Sequence, residues 1–599
     1  MLTPDAGRLP LPPDDTVLHD FITELARLVR AEANEATRQI EHLWSQPLLK
    51  RVATGRAIDA VTIVKVHPDG LVELRCHRNE SRFREGDMLC LSRGDPFAEP
   101  NFLVTLELDE ETDLLVSTDA PGITAFDFVA QPDGWVLDEG YLNVSDYILE
   151  ALDEAADTAA GRERVLPLLT GQIRPSLDLE RFEYALERAE QWGLNTQQAD
   201  AVASAYASDL AYLIQGPPGT GKTVVLARLA QLFAEDGERV LVTCFTHRAI
   251  ANALNKLAEL ASREDATPVT AVKIGHEARA DGLQVEHYAT FDSSPLCDLS
   301  GAYIVGATPF ATRTRRLHGV EFETVIVDEA SQITLPLAIM AMLVARRTIF
   351  VGDHQQLPPV LATRYGDQML RDSVFGVLVD RGFDTMLEET YRLNDVLAAW
   401  PSKAFYAGRL VPAEGIGSRR ISYAQPPERF AEILDPAVPK VFVDLGHRSA
   451  TTRNEQEAQL AVELILTLVA CGVAPAEIGV VTPYRAQSRA IRNRLRQALP
   501  ERNAERRALV IDTVERMQGQ ERDVIIVSLT SSDARFVSEV ADFFFQPERL
   551  NVTITRPRHK LIILGSRHVL EARPGEATSQ HGLELWRDLL ASCAHPSIT

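Results

Sequence analysis

One run restricts the fold more than any other: Gly216-Pro217-Pro218-Gly219-Thr220-Gly221-Lys222-Thr223, with the spacing G-x-x-x-x-G-K-T. The apolar residues Leu213-Ile214 precede it, and Val224-Val225-Leu226-Ala227-Arg228-Leu229-Ala230 follow with helical periodicity. That order is strand, phosphate loop, helix. Backbone N–H groups of such a loop close around phosphate oxygens, and the helix N-terminus adds the positive end of its dipole. Lys222 is then in place for the β- and γ-phosphates, and the Thr223 hydroxyl for Mg²⁺. A glycine-rich turn before a core helix shares the pattern, but the strand–helix context argues against it. ATP and Mg²⁺ are the expected ligands.

A chain of 599 residues should divide into several domains. The six cysteines are scattered with no C-x-x-C pair, which argues against a zinc module or a disulfide framework and suits a reducing compartment. The first residues lack a basic start followed by an apolar stretch. The longest apolar run, residues 335–345, is too short to span a bilayer and reads as a buried helix. A soluble, cytoplasmic protein without a membrane partner is expected. The net charge of −24 argues against a nonspecific coat on nucleic acid, while leaving room for a local basic groove.

Before the phosphate loop, Pro10 to Pro13 read as an unpacked leader. From Asp15, the residues Leu18, Phe21, Leu25, Leu28 and Val29 share one face of a long amphipathic helix, broken near Pro47. From Ala57 the period switches to two. Val61–Val66 and Leu71–Cys76 flank Asp69-Gly70 as a hairpin, and Met88–Leu91, Phe102–Leu106 and Leu114–Val116 add three short strands. Five short strands predict a small β-barrel, read as scaffold because it shows no row of exposed aromatics. Residues 126–193 read as helical and acidic.

After the loop, the apolar strand Thr324-Val325-Ile326-Val327 runs directly into Asp328 and Glu329. In an open parallel sheet the carboxyl ends of strands are where ligands sit. Asp328 would hold Mg²⁺ through water, and Glu329 would polarise the attacking water. Another strand, Thr348–Gly352, leads to Gln356, a candidate partner for the γ-phosphate. A second set of strands follows at Lys440–Leu445, Glu477–Tyr484, Asp523–Ser528 and Lys560–Gly565, with no phosphate loop of its own. It offers Arg392 and Arg556, and an arginine brought to the γ-phosphate from a second domain is worth ~10³–10⁵ in rate. Arg485, Arg489, Arg492, Arg494 and Arg496 crowd one helix, and Arg313, Arg315 and Arg316 follow Thr308. A charged helix face is usually just solvated; in a chain this acidic, a groove for a phosphate backbone is the alternative.

The ordered set resembles the superfamily 1 helicases, in the branch of the nonsense-mediated-decay helicase and the flap-processing nuclease–helicase. The likeness runs from Leu194 to Gly565 and rests on Leu194-Asn195-Thr196-Gln197-Gln198, Asp328-Glu329-Ala330-Ser331-Gln332, Gly352-Asp353-His354-Gln355-Gln356-Leu357-Pro358-Pro359 and Thr513-Val514-Glu515-Arg516-Met517-Gln518-Gly519-Gln520-Glu521. It implies an α/β fold with two RecA-like domains, ATP between them and single-stranded nucleic acid across their tops, behind a helical stalk and accessory barrel. The implied division is 1–56 leader and stalk, 57–125 barrel, 126–193 connector, 194–375 first RecA-like domain and 376–599 second. By the same resemblance Gln198 reads adenine, Tyr391 stacks on it and Glu521 meets the ribose. Thr246, His247, Thr308, Tyr484, Arg485 and Thr513 face the nucleic acid. Thr390 stands where the family usually has Gln, and Pro557 where Ala commonly follows the arginine.

The resemblance implies an ATP-driven motor on single strands that separates duplexes and, as that branch does, moves 5′ to 3′. By its likeness to the DNA-acting nuclease–helicase, Phe245-Thr246-His247-Arg248-Ala249 implies DNA over RNA. An RNA helicase and a protein-displacing remodeller within a larger complex are the alternatives, with a nucleotide-bound switch protein as the rival of another class. The zinc and nuclease modules of relatives are absent from the sequence, which makes a separate nuclease an expected partner.

Overall fold

Both kinds of periodicity in the sequence are realised, as a closed barrel and two RecA-like parallel sheets. The computed structural model describes residues 14–597 apart from 68–69, 80, 84–85, 111, 119–129, 263–268, 276–281, 300, 364–371 and 501. The leader at Pro10–Pro13 and part of the Asp69-Gly70 turn lie outside the described residues.

The stalk helix Asp15–Trp44 starts where Asp14 caps it by accepting a hydrogen bond from the Thr16 N–H. Its buried face carries Leu18, Phe21, Leu25, Leu28 and Val29, which join the core of the first parallel sheet rather than that of the barrel. Pro47 interrupts it, and a short helix, Leu48–Ala53, leads into the barrel.

The barrel consists of β1 (Ala57–Val66), β2 (Leu71–Arg75), β3 (Met88–Ser92), β4 (Asn101–Glu110), β5 (Asp113–Ser117) and β6 (Trp135–Glu139), closed in the order β1-β2-β5-β4-β3-β6. The sixth strand lies beyond the expected limit at residue 125. It pairs with β1 on one side and β3 on the other, so it removes both open edges. Trp135 and Leu137 are fully buried inside. So short an apolar run is not legible as a strand by itself; pairing at both edges decides it.

Arg51, 2% exposed, pins the short helix to this strand through Asp138, which is fully buried, and donates a second bond to Gly94 O at 2.6 Å. Breaking a buried pair by removing one partner leaves an uncompensated charge and costs about 3–5 kcal/mol. Arg51→Ala is therefore expected to lower the unfolding free energy read by urea titration by that amount. A surface control, Arg27→Ala, removes an exposed pair with Glu24 and should shift it by about 1 kcal/mol at most.

The first sheet comprises β7 (Ala211–Gln215), β8 (Arg239–Thr243), β9 (Ala271–Ile274), β10 (Glu286–Tyr288), β11 (Tyr303–Gly306), β12 (Phe322–Val327), β13 (Ala345–Gly352) and β14 (Asp384–Met386). Their order is β10-β9-β11-β8-β12-β13-β7-β14, all parallel. β14 extends this sheet past residue 375. The apolar run at 335–345 divides: a buried helix spans Leu335–Met342, and Ala345 already belongs to β13.

Two short strands, β15 (Glu389–Thr390) and β16 (Val411–Pro412), form a separate ribbon between the sheets. The second sheet comprises β17 (Lys440–Asp444), β18 (Ile478–Thr482), β19 (Val510–Thr513), β20 (Arg522–Ser528) and β21 (Pro557–Gly565), in the parallel order β17-β21-β20-β18-β19. Its strands read as near-continuous apolar runs because helices cover both faces, giving two separate hydrophobic clusters.

Candidate functional site

Sheet register brings the predicted residues to one edge. Gly352 pairs with Gln215, Val327 with Phe350, and Val327 with Thr243, so β7, β13, β12 and β8 end together. The phosphate loop, Asp328 and Asp353 all emerge there. The Gly216 N–H donates to Gly352 O at 2.9 Å, and the Asp328 N–H to Thr243 O at 2.8 Å.

The loop is wound too tightly for side chains. A Cβ on Gly216 would lie 1.9 Å from Cγ of Lys222, and Gly221 caps the helix Lys222–Glu235 at φ +84°. Thr220 ties its hydroxyl to Pro217 O at 2.8 Å. Gln198 supports the loop from behind: its side-chain amide donates to Thr220 O at 3.0 Å, while its oxygen accepts from the Asn195 N–H at 3.2 Å in a capping box. This cradle, with Lys222 and Thr223 at the first turn of the helix, fits a phosphate group.

Asp328 and Glu329 differ in environment. Burial, and next the charge of Glu329, push the Asp328 carboxyl up to about 7, against the pull of Lys222. Glu329 is half-buried and sits at φ +49°, ψ +41°, a left-handed conformation that a non-glycine residue adopts at a cost of order 1–3 kcal/mol. That turn separates the two carboxylates. Among the described residues no group of three or more His, Cys, Asp or Glu could hold a metal ion. A Mg²⁺ at Thr223 and Asp328 would therefore depend on phosphate oxygens, as Mg²⁺ sites with one or two carboxylates do.

The second half of the chain reaches the loop directly. The Tyr391 N–H donates to Gly219 O at 2.8 Å, and the Tyr391 hydroxyl accepts from the Asn195 side chain at 2.9 Å. The Tyr391 ring is 42% exposed beside the loop, where a planar base could lie on it. Thr390, the departure from the usual Gln, donates its hydroxyl to Pro218 O at 2.8 Å and is fully buried. The Gln518 side chain donates to Glu329 across the cleft at 3.4 Å.

Arg392 and Arg556 take different positions. Arg392 is held by Glu521 at 2.6 Å and by Thr555 O at 3.0 Å. Against the cost of burial, Arg392 with Arg558 and Arg556 holds the Glu521 carboxyl below its usual range. Arg556 is 1% exposed and bonds only neutral oxygens: Val552 O at 2.8 Å, Gln520 O at 3.2 Å and the Thr555 hydroxyl at 3.3 Å. Burial, then repulsion from Arg392, pushes it down to about 9, partly offset by Glu329 and Glu521. Among the described residues no carboxylate forms an ion pair with it, so its direct contacts leave the guanidinium charge available to an incoming anion.

Two families, each described as an AAA domain, match adjoining stretches, residues 193–378 and 370–568. The mouse DNA replication ATP-dependent helicase/nuclease DNA2 (Mus musculus) is 30% identical over 418 residues, covering 64% of this chain and 38% of the mouse protein. The Regulator of nonsense transcripts 1 homolog of Arabidopsis thaliana is 29% identical over 446 residues, covering 66% of this chain and 34% of the plant protein. Over about two-thirds of its length the chain is therefore similar to these helicases. It spans less than half the length of these two relatives. Among solved structures, the arterivirus nonstructural protein 10 (helicase) is 14% identical with a TM-score of 0.38, over 87% of this chain and 80% of that one.

Beside the second sheet the five crowded arginines separate by helical period. Arg485, Arg489, Arg492 and Arg496 recur at spacings of four, three and four along the helix Arg485–Ala498 and share one face. They line a cleft of about 290 Å³ whose other wall is the barrel, at His77 and Arg78. Arg494 points away and pairs with Glu455. Arg313 is also withdrawn from the expected groove, because Glu154 of the helix Ser145–Asp157 pairs with its buried side chain.

The remaining predicted contacts stand at element ends. Thr246 caps the helix His247–Ala261, accepting from Ala249 N at 3.3 Å. Thr308 opens the turn Pro309–Arg313, and Thr513 closes β19. The Tyr484 ring is stacked on Phe543 at 5.8 Å, and its hydroxyl lies 3.4 Å from that of Ser531. Gln518 lies inside the run Thr513–Glu521, Asn551 within the helix Pro547–Ile554 before Arg556, and Tyr406 just past a helix end, with no local signal for either of the last two.

Proposed function

We propose that this protein is an ATP-driven helicase that translocates along single-stranded nucleic acid, DNA in preference to RNA, from 5′ to 3′. The observation that carries it is Arg556, a guanidinium in the second domain that is 1% exposed and has no carboxylate ion pair among the described residues. A binding protein would gain little from such a charge; a site that must stabilise charge moving onto a γ-phosphate does gain.

In this proposal the loop Gly216, Pro217, Pro218, Gly219, Thr220, Gly221 wraps the phosphates of ATP, and Lys222 reaches the β- and γ-groups. Thr223 and Asp328 would hold Mg²⁺, which when bound neutralises charge on the phosphate oxygens. Glu329 orients the attacking water and takes its proton as water oxygen bonds to the γ-phosphorus and the bond to ADP breaks. Gln356, Arg392 and Arg556 bind the γ-phosphoryl oxygens. Tyr391 supports the base, Gln198 holds the loop and meets adenine, and Glu521 meets the ribose. Opening and reclosing of the cleft with each turnover would shift the grip of Thr246, His247, Thr308 and Thr513 along the backbone.

The arginine face of the helix Arg485–Ala498, opposed by the barrel, supports a role in holding phosphates, with Arg485 at its start and Tyr484 buttressing it. Arg489→Ala is expected to weaken binding of a dT oligonucleotide and to flatten the slope of log affinity against log salt by about 0.7. Anisotropy titrations at several salt concentrations would read both.

The preference for DNA draws support from the mouse relative, named as a DNA replication helicase/nuclease, while the plant relative is named for nonsense transcripts. ATP hydrolysis at low salt, without nucleic acid and with single-stranded DNA or RNA of equal length, tests it. Stimulation by DNA with unwinding of a 5′-tailed duplex is the expected result. Stimulation by RNA alone would move the substrate to RNA. Basal turnover that neither polymer changes would favour a partner-gated remodeller.

A further inference from the structure

The two domains are joined by a buried polar chain whose middle members, Asp353, Tyr406 and Asn551, have none of the roles assigned above. It begins at Asp353, fully buried at the end of β13. One carboxylate oxygen accepts from the Gln215 side chain at 3.2 Å and from the Gln355 N–H at 3.2 Å. The other accepts from the Gln356 side chain at 2.8 Å and from the Tyr406 hydroxyl at 2.8 Å. Tyr406 belongs to the second half of the chain, just after the helix Asp395–Phe405, and is 3% exposed. Its hydroxyl in turn accepts from the Asn551 side chain at 2.7 Å, which also donates to Gln355 O at 2.8 Å.

Asn551 lies on the helix Pro547–Ile554, and its own carbonyl accepts from the Thr555 hydroxyl at 2.6 Å. That hydroxyl accepts from Arg556 at 3.3 Å, and the neighbouring Val552 O takes Arg556 Nε at 2.8 Å. A line of hydrogen bonds, passing through Asn551 from its side-chain amide to its main-chain carbonyl, therefore runs from Gln356 in one domain to Arg556 in the other. Every side chain on it is buried: Gln356 is 4% exposed, Asn551 and Thr555 fully buried. Burial, and then the charge of Asp353, raise the Tyr406 phenol well above its ordinary value, so it remains a donor to the carboxylate. Low local polarity makes each such bond stronger and an unmade one costly, so the chain favours all-or-none arrangements.

We propose that Tyr406 is a positioning residue that links the Gln356 side of the cleft to the helix preceding Arg556, so that the two ends change place together. It rests on the ATPase function proposed above. When Gln356 turns toward a γ-phosphate, Asp353 loses one of its four donors, and the Tyr406–Asn551 bond carries that loss to the second domain. The hydroxyl is the only atom of Tyr406 with this role; its ring packs with Phe405 at 6.4 Å and stays in Tyr406→Phe.

The test compares the full chain with Tyr406→Phe, Asn551→Ala and the double variant. For Tyr406→Phe, kcat with saturating single-stranded DNA should fall about tenfold, the change produced by roughly 1.4 kcal/mol, while KM for ATP stays within twofold. The ratio of oligonucleotide Kd with ADP to that with a non-hydrolysable ATP analogue should collapse toward one. The double variant should be no worse than the weaker single one, since both break the same line. A pair that merely stabilises the fold would give additive losses and leave the Kd ratio unchanged, and either result overturns the proposal. Hydrogen exchange of residues 547–556 with and without the analogue supplies a readout independent of turnover. If the unaltered chain fails to hydrolyse ATP, the function is wrong, yet analogue-induced protection lost in Tyr406→Phe still supports the link. Protection equal in both chains sinks it.

Discussion

Glu329→Gln is expected to stop turnover while leaving ATP bound. The substitution keeps the length of the side chain and the hydrogen-bonding capacity of one oxygen, but the amide cannot take a proton from water. General-base contributions of this kind are worth ~10²–10⁴ in rate. The left-handed backbone at this position is common to both residues, so the strain at φ +49° is unchanged and the fold should hold. Rapid mixing followed by acid quench should show ATP retained and unhydrolysed, with the thermal midpoint unaltered. Normal turnover in this variant would remove Glu329 from the chemistry and leave Asp328 as the remaining carboxylate of the pair. The companion change Lys222→Ala acts earlier, on nucleotide binding, and separates the two steps.

Arg556→Ala carries the second large effect. A guanidinium brought to the γ-phosphate from the opposing domain is worth ~10³–10⁵ in kcat. Arg556 also bonds Val552 O, Gln520 O and the Thr555 hydroxyl, which a single ammonium cannot do with the same geometry. Arg556→Lys is therefore expected to restore little activity, although it keeps the charge. Stability should behave in the opposite way. The buried charge faces no carboxylate partner among the described residues, so removing it relieves a desolvation cost that offsets the lost hydrogen bonds. Turnover that collapses while the melting temperature moves by only a few degrees is the expected signature. A variant that retains most of its kcat would exclude Arg556 as the trans-acting arginine and shift that role to Arg392.

Much of the cleft was legible before any coordinates, and the reasons are local. Gly216 to Thr223 encode their own turn, because glycine at 219 and 221 admits backbone angles closed to other residues. Asp328 and Glu329 follow an apolar strand whose direction places them at its carboxyl end. Less local features were read incompletely. The barrel was expected to close with five strands, yet Trp135–Glu139 supplies the sixth by pairing at two edges distant in sequence. The crowded arginines were grouped by proximity in the chain, whereas the helical period sends Arg494 to Glu455 and keeps Arg485, Arg489, Arg492 and Arg496 together.

By itself, the sequence determined a parallel α/β fold with one phosphate loop, the carboxylates beside it and the arginines available to meet them. These follow from residue type, spacing and the period of apolar residues, which act over a few turns or one strand. Only the tertiary structure decided which arginine is buried without a carboxylate ion pair among the described residues, which barrel strand covers the last edge, and that Tyr406 joins Asp353 to Asn551. Each depends on groups 53 to 145 residues apart, or on burial from several elements at once. The energy of a charge or hydroxyl is set by what surrounds it in space, and no spacing along the chain records that environment.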